Sequence, residues 1–137
     1  MNLDRVDHTA IAVRDLDEAL ARYRRTFGLA PALRQQVTEQ QVEVAFLPVG
    51  STQLELIQPL SEGSGVAKFL ERHGESLHHV AFAVRDIEAE LARLEQEGVE
   101  LIDRVPRSGI HGRIAFVHPR GTGGVLVELV EHTNSID

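Results

Sequence analysis

Cysteine is missing from the 137-residue sequence, which excludes disulfides, thiolate metal ligands and thiol nucleophiles. That absence fits a reducing compartment, and the expected location is the cytoplasm. Positive charge is scarce: 14 Lys and Arg stand against 21 Asp and Glu, a formal charge of −7. Phosphate binding needs clustered cations, so nucleic acid is not the expected partner, nor is an anionic membrane surface. No apolar run approaches the about 20 residues of a membrane span. The opening Met1-Asn2-Leu3-Asp4-Arg5 lacks a signal peptide's apolar stretch. A chain of this length can bury about two-thirds of its unfolded surface. It needs no structural staple to stay folded, and a single soluble domain over 1–137 is expected.

What the sequence does have is an internal repeat. Asp7-His8-Thr9-Ala10-Ile11-Ala12-Val13-Arg14-Asp15-Leu16 lies over His78-His79-Val80-Ala81-Phe82-Ala83-Val84-Arg85-Asp86-Ile87. The match runs on through Leu20-Ala21-Arg22 and Leu91-Ala92-Arg93, and Leu54-Glu55-Leu56 lies over Val127-Glu128-Leu129. Two modules follow, one at about 5–60 and one at about 76–132, joined by a Gly- and Ser-containing linker at 61–75.

Each module begins with an alternating, β-branched strand, Val6 to Val13 and Leu77 to Val84. Asp15 and Asp86 stand at N-cap positions, with Glu18 completing a capping box after Asp15. Leu16, Leu20, Tyr23 and Phe27 follow at helical spacing, as do Ile87, Leu91 and Leu94. Gly28 and Gly98 fall at the helix ends. Hairpins follow at Gln41 to Val49 with Thr52 to Gln58, and at Arg113 to Val117 with Gly124 to Val130. A further strand fits near Leu33 to Val37 and near Leu101 to Val105. The class is α+β.

Alternation along a strand sends successive side chains to opposite faces. His8, Ala10 and Ala12 share one face and His79, Ala81 and Ala83 share its counterpart, leaving the bulky neighbours to pack on helices. Glu55 and Glu128 each interrupt an apolar strand on the side away from the helix. A single strand His or Glu is ordinarily a solvated or hydrogen-bonded group. The recurrence of both in both modules points instead to one divalent ion, such as Co, Mn, Ni, Zn or Fe, held by His8, Glu55, His79 and Glu128. Unpaired charges buried in apolar strands are costly, and two carboxylates balance an M²⁺.

These segments resemble the vicinal oxygen chelate superfamily, which includes glyoxalase I and the extradiol dioxygenases. Gln53 to Leu60, Val66 to Leu70, Leu77-His78-His79-Val80-Ala81-Phe82 and His118-Pro119-Arg120 to Leu129 resemble its methylmalonyl-CoA epimerases most closely. The resemblance covers nearly the whole chain. It implies paired βαβββ modules forming an open cupped mixed sheet with helices outside, and it makes His79, not His78, the ligand. It implies a CoA thioester substrate and interconversion of (2R)- and (2S)-methylmalonyl-CoA through a metal-stabilised enolate. Glu43 and Glu128 would be the acid/base residues. Some such epimerases carry Gln where Glu55 stands, and a His/Glu/His/Glu set resembles glyoxalase I. A lactoylglutathione lyase of that type is therefore the alternative, followed by a non-catalytic binding module. Dimers are common in this fold, and a homodimer is possible on that ground alone.

The other polar residues say less. His111 and His118 flank Gly112-Arg113-Ile114 and could line the cleft, and His118 could equally close a turn. His73 and His132 read as surface residues. Arg104, Arg107, Arg113 and Arg120 either meet a CoA phosphate or remain solvated. Gly121 to Gly124 reads as the turn before the Glu128 strand.

Overall fold

A computed structural model of the chain describes residues 3–133. Contacts divide it into two compact units, His8–His78 and a second made of residues 79–133 with residues 3–7. Among the described residues there are eight strands, three α-helices and one 3-10 turn, so the class is the expected α+β.

The first unit takes in the second half of β1 (Leu3–Ala12), then α1 (Leu16–Phe27), β2 (Leu33–Val37), β3 (Val42–Val49), β4 (Thr52–Pro59) and α2 (Gly65–His73). Its strands run in the order β2-β3-β4-β1. The outer pairs are antiparallel, and β4 lies parallel to β1 with Glu55 beside Ala10. The Asp15 side chain accepts a hydrogen bond from the Glu18 N–H and starts α1. Gly28 closes the helix in the left-handed region, at φ 70°. Leu16 and Ala19 of α1 pack on Val13, Ala45, Leu47 and Leu56, all buried. Ala45 and Leu47 of β3 and Leu56 of β4 therefore mark the helix side of the sheet, and Phe46 and Glu55 stand on the other side.

The second unit repeats the plan. It takes in most of β5 (Ser76–Val84), then α3 (Ile87–Gln96), β6 (Arg107–Ser108), β7 (Gly112–Val117), the 3-10 turn (Pro119–Thr122) and β8 (Val127–His132). The strand order is β5-β8-β7-β6, and β8 lies parallel to β5 with Glu128 beside Ala81. The Asp86 side chain accepts from the Ala89 N–H to start α3. Ile87 and Leu91 of α3 bury Val84, Ala115, Val117, Val127 and Leu129. A smaller cluster of Ala81, Ile114 and Val130, with Phe116 against it, occupies the opposite face.

Two expectations need correction. The linker at 61–75 holds a helix: Ser64 caps α2 by accepting from the Ala67 N–H, and Val66 and Leu70 are buried. The strand expected from Leu101 to Val105 reduces to one bridge, Leu101 to Val117. The Asp103 carboxylate there takes the Phe116 N–H at 2.9 Å, replacing a ladder bond. Pro106 has no N–H to donate, and only Arg107–Ser108 pair beyond it.

Candidate active site

Both modules build the same pair of side chains on the face opposite their helix. In the first unit, His8 Nε2 lies 3.2 Å from Glu55 Oε1. In the second, His79 Nε2 lies 3.3 Å from Glu128 Oε1. All four residues are buried, at 4% to 8% exposure. Each imidazole also receives an aromatic ring edge-on from the neighbouring hairpin. Phe46 meets His8 at 5.4 Å and 86°, and Phe116 meets His79 at 5.4 Å and 88°. Phe46 is opposite Glu55 on β4, and Phe116 opposite Glu128 on β8, so strand register sets both arrangements. The phenyl contacts restrict ring orientation and keep water off one side of each histidine. The sequence signal for the phenylalanines was their equivalent place in Val44-Ala45-Phe46 and Ile114-Ala115-Phe116.

Alanine forms the rest of this face. Ala10, Ala12, Ala81 and Ala83 are all buried with small side chains, so the polar heads stand in an apolar setting. A carboxylate there is stable only with a partner. An imidazole and a carboxylate side by side, as each unit holds them, are the right donors for a borderline divalent ion.

His78 and His79 divide as alternation requires. His78 packs against Phe69 of α2, with ring centroids 4.8 Å apart, whereas His79 pairs with Glu128. His118 closes a turn, its Nδ1 accepting from the Arg120 N–H at 3.1 Å. His132, expected at the surface, is instead engaged: its Nε2 lies 2.6 Å from Oδ1 of buried Asp7, and its ring stacks on His111 at 5.6 Å.

Glu43 does not stand with the His8–Glu55 pair. It is on β3 in phase with Ala45 and Leu47, hence on the helix side. Its Oε2 accepts from Arg34 Nε at 2.9 Å, and Arg34 Nη1 reaches Asp17 of α1 at 2.7 Å. Those carboxylates, Glu43 foremost, hold the Arg34 guanidinium above its usual value. The residue that shares the face of Phe46 is Val44, which is buried. The physical reason is the period of two: a residue in phase with the helix-packed positions cannot also face the histidine.

The second unit has a matching clamp on its helix side. Arg113 Nη2 lies 2.8 Å from Glu131, and Nη1 lies 3.4 Å from Glu88 of α3. Glu131 is the largest cause of the raised Arg113 value. Glu131 also accepts from the Ile87 N–H, as Gln58 accepts from the Leu16 N–H in the first unit. Both clamps tie a sheet to the first turn of its helix.

Residues 7–116 match the family model described as the Glyoxalase/Bleomycin resistance protein/Dioxygenase superfamily. The uncharacterized protein YqjC of Bacillus subtilis is 47% identical, over 94% of this chain and 93% of that protein. The ethylmalonyl-CoA/methylmalonyl-CoA epimerase of Cereibacter sphaeroides is 39% identical, over 93% of this chain and 97% of its own. A Streptomyces coelicolor methylmalonyl-CoA epimerase solved with 2-nitronate-propionyl-CoA has a TM-score of 0.92 at 38% identity, covering 96% of each chain. The duplicated modules, their equivalent His–Glu pairs and these likenesses place the chain among the methylmalonyl-CoA epimerase-like enzymes, which are isomerases, of the glyoxalase/bleomycin resistance protein/dioxygenase superfamily.

Proposed function

We propose that the enzyme interconverts (2R)- and (2S)-methylmalonyl-CoA with the help of a divalent ion held by His8, Glu55, His79 and Glu128. The observation that carries this reading is the duplicated, buried His–Glu pair in a chain whose relatives include named methylmalonyl-CoA epimerases. A solved epimerase holding methylmalonyl-CoA, 38% identical to this chain, supports the choice of substrate.

When bound, the ion would act as a Lewis acid toward the thioester oxygen. The remaining work falls to side chains of the chain. The C2 hydrogen of the substrate lies between a thioester and a carboxylate, so its removal leaves a delocalised, planar carbon. Glu128 is the carboxylate assigned to take that proton, its own position fixed by the β7–β8 register. A solvent proton delivered to the other side of that carbon gives the other epimer, and Glu128 returns the proton it took to solvent. Glu43 faces the helix and is given no proton-transfer role. The alanine floor leaves room for the branched acyl group, and Phe46 and Phe116 limit water beside the histidines. Among the described residues no helix is long and apolar enough to cross a membrane. The reading extends to a cytoplasmic enzyme, with the cysteine-free composition in its support, and to a homodimer, common in this fold.

The test is incubation of purified protein and added Co, Mn, Ni or Zn with either epimer in D₂O. Racemisation with deuterium entering at C2 is the expected result. No exchange with any of these ions would sink the proposal. Glu55 and a 28% identical Vibrio cholerae protein named probable lactoylglutathione lyase favour one second reading. Turnover of the methylglyoxal–glutathione hemithioacetal in place of the thioester would select it.

A further inference from the structure

The structure separates Arg104, Arg107, Arg113 and Arg120 of the second module. Arg113 lies on the helix side, clamped by Glu131 and Glu88. Arg104 reaches Glu95 at 3.7 Å, and Arg120 reaches Glu100 at 3.2 Å; both side chains are more than three-quarters exposed. Arg107 is different. Its guanidinium carbon lies 5.8 Å from the centroid of Phe116, the ring whose edge contacts His79. Arg107 on β6 pairs with Ile114 on β7, so it shares the face of Ile114, Phe116 and the His79–Glu128 pair.

The head group is also held in place. Asp103 takes Arg107 Nε at 3.0 Å and Nη2 at 3.2 Å, a side-on two-point contact. Asp103 is itself fixed by the Phe116 N–H. This arrangement leaves Nη1 without a protein partner among the described residues, on a side chain that is 46% exposed. A guanidinium on an aromatic face, pinned on one edge and open on the other, is preorganised for an anion. The first module has no such group: the residue paired with Val44, in the place of Arg107, is Gln35.

We propose that Arg107 is a specificity residue that binds an anionic group of the substrate beside the His79–Glu128 pair. The inference rests on the acyl-CoA reading above. The anion has two sources in such a substrate, the acyl carboxylate and a CoA phosphate, and both present the same oxygen acceptors.

The experiment compares wild type with Arg107→Gln, which copies Gln35, and with Arg107→Lys, which keeps the charge and loses the fork. Each is assayed on methylmalonyl-CoA and on methylmalonyl-pantetheine, which lacks the nucleotide phosphates. Binding of malonyl-CoA and malonyl-pantetheine is measured by calorimetry, independently of turnover. Loss of one charged hydrogen bond predicts a rise in KM and Kd of about 10- to 100-fold for Arg107→Gln, with kcat little changed and a smaller rise for Arg107→Lys. A rise with both thioesters assigns the anion to the carboxylate; a rise with the CoA ester alone assigns it to a phosphate. Unchanged KM and Kd, or a fall in kcat alone, would overturn the proposal. If Arg107→Gln does not fold, Arg107→Lys carries the same comparison. Wild type that binds the malonyl thioesters through Arg107 without exchanging methylmalonyl-CoA would defeat the epimerase reading and leave this inference standing. Wild type that exchanges while the variants match it would do the reverse, and wild type that binds neither thioester would defeat both.

Discussion

The two modules agree at the His–Glu pair and part company around it. His8 and Glu55 sit 3.2 Å apart and His79 and Glu128 3.3 Å apart, each imidazole under the edge of a phenylalanine. Away from this core the first module has a five-residue outer strand, Leu33–Val37, whereas the second has two residues, Arg107–Ser108. Position 42 is a valine in the first module, and its counterpart is Gly112. Position 43 is a glutamate, and its counterpart is Arg113. The clamp persists while its charges change strands: in the first module the guanidinium is on β2 and the carboxylate on β3, and in the second the guanidinium is on β7 and a carboxylate on β8. A role that survives reversal of sign depends on joining sheet to helix, not on the chemistry of one carboxylate. The His–Glu pair shows no such freedom.

The largest expected difference between the modules lies in their carboxylates. Glu128→Gln should lower kcat for exchange by about 10²- to 10⁴-fold, the usual worth of a general acid/base. Glu55→Gln should cost less than about tenfold, since an amide oxygen still offers a ligand atom and no proton transfer is assigned there. Exchange rates with metal content measured on the same samples decide the matter. Equal losses in the two variants would mean that Glu55 and Glu128 have the same role.

Next in size is a backbone difference. Gly112 has φ 153°, and a Cβ there would lie 2.1 Å from the Glu131 carbonyl oxygen, far inside contact distance. Gly112→Ala therefore forces β7 away from β8 and should destabilise the protein by about 3 kcal/mol. Val42→Ala, at the equivalent place, only removes buried methyl groups and should cost about 1–2 kcal/mol. Chemical denaturation gives both values, and a Gly112→Ala cost below that of Val42→Ala would contradict the close approach.

Much of this was legible before any coordinates. Asp15 and Asp86 mark helix starts because their side chains satisfy N–H groups that the helix leaves bare. His8, Glu55, His79 and Glu128 stand out because each is polar in an apolar strand and each recurs. Leu33–Val37 was found at its observed limits. What stayed hidden depends on long-range register or has no repeat partner. Helix α2 has no copy in the second module, and the glycines around it read as linker. Asp7 and His132 meet across 125 residues of sequence. Glu43 shows the limit of alternation most directly. Period two separates Glu43 from Val44 but does not say which of them faces the helix; packing of Ala45 and Leu47 on α1 decides it.

The smallest expected effect is the sharpest test of that assignment. Glu43→Gln removes one carboxylate from Arg34, whose side chain is 38% exposed and keeps Asp17 as a second partner. An exposed pair contributes about 0–1 kcal/mol, so the loss of stability should stay below about 1 kcal/mol. Hydrogen bonds to Glu43 and Asp17 hold the Arg34 guanidinium above its ordinary value, so its contribution is fully present below that ordinary value and is lost only as pH rises past the still higher folded-state value. Through Arg34 the clamp is therefore insensitive to pH across the neutral range, and salt is what weakens it, by screening. Exchange at C2 should be unchanged within about twofold, whereas an acid/base would forfeit about a hundredfold or more. Arg34→Gln and Arg113→Gln should behave like Glu43→Gln, each loosening one helix from its sheet while leaving kcat intact. A hundredfold loss of exchange confined to Glu43→Gln, with Arg34→Gln unaffected, would return Glu43 to the reacting groups and require β3 to present its other face during turnover.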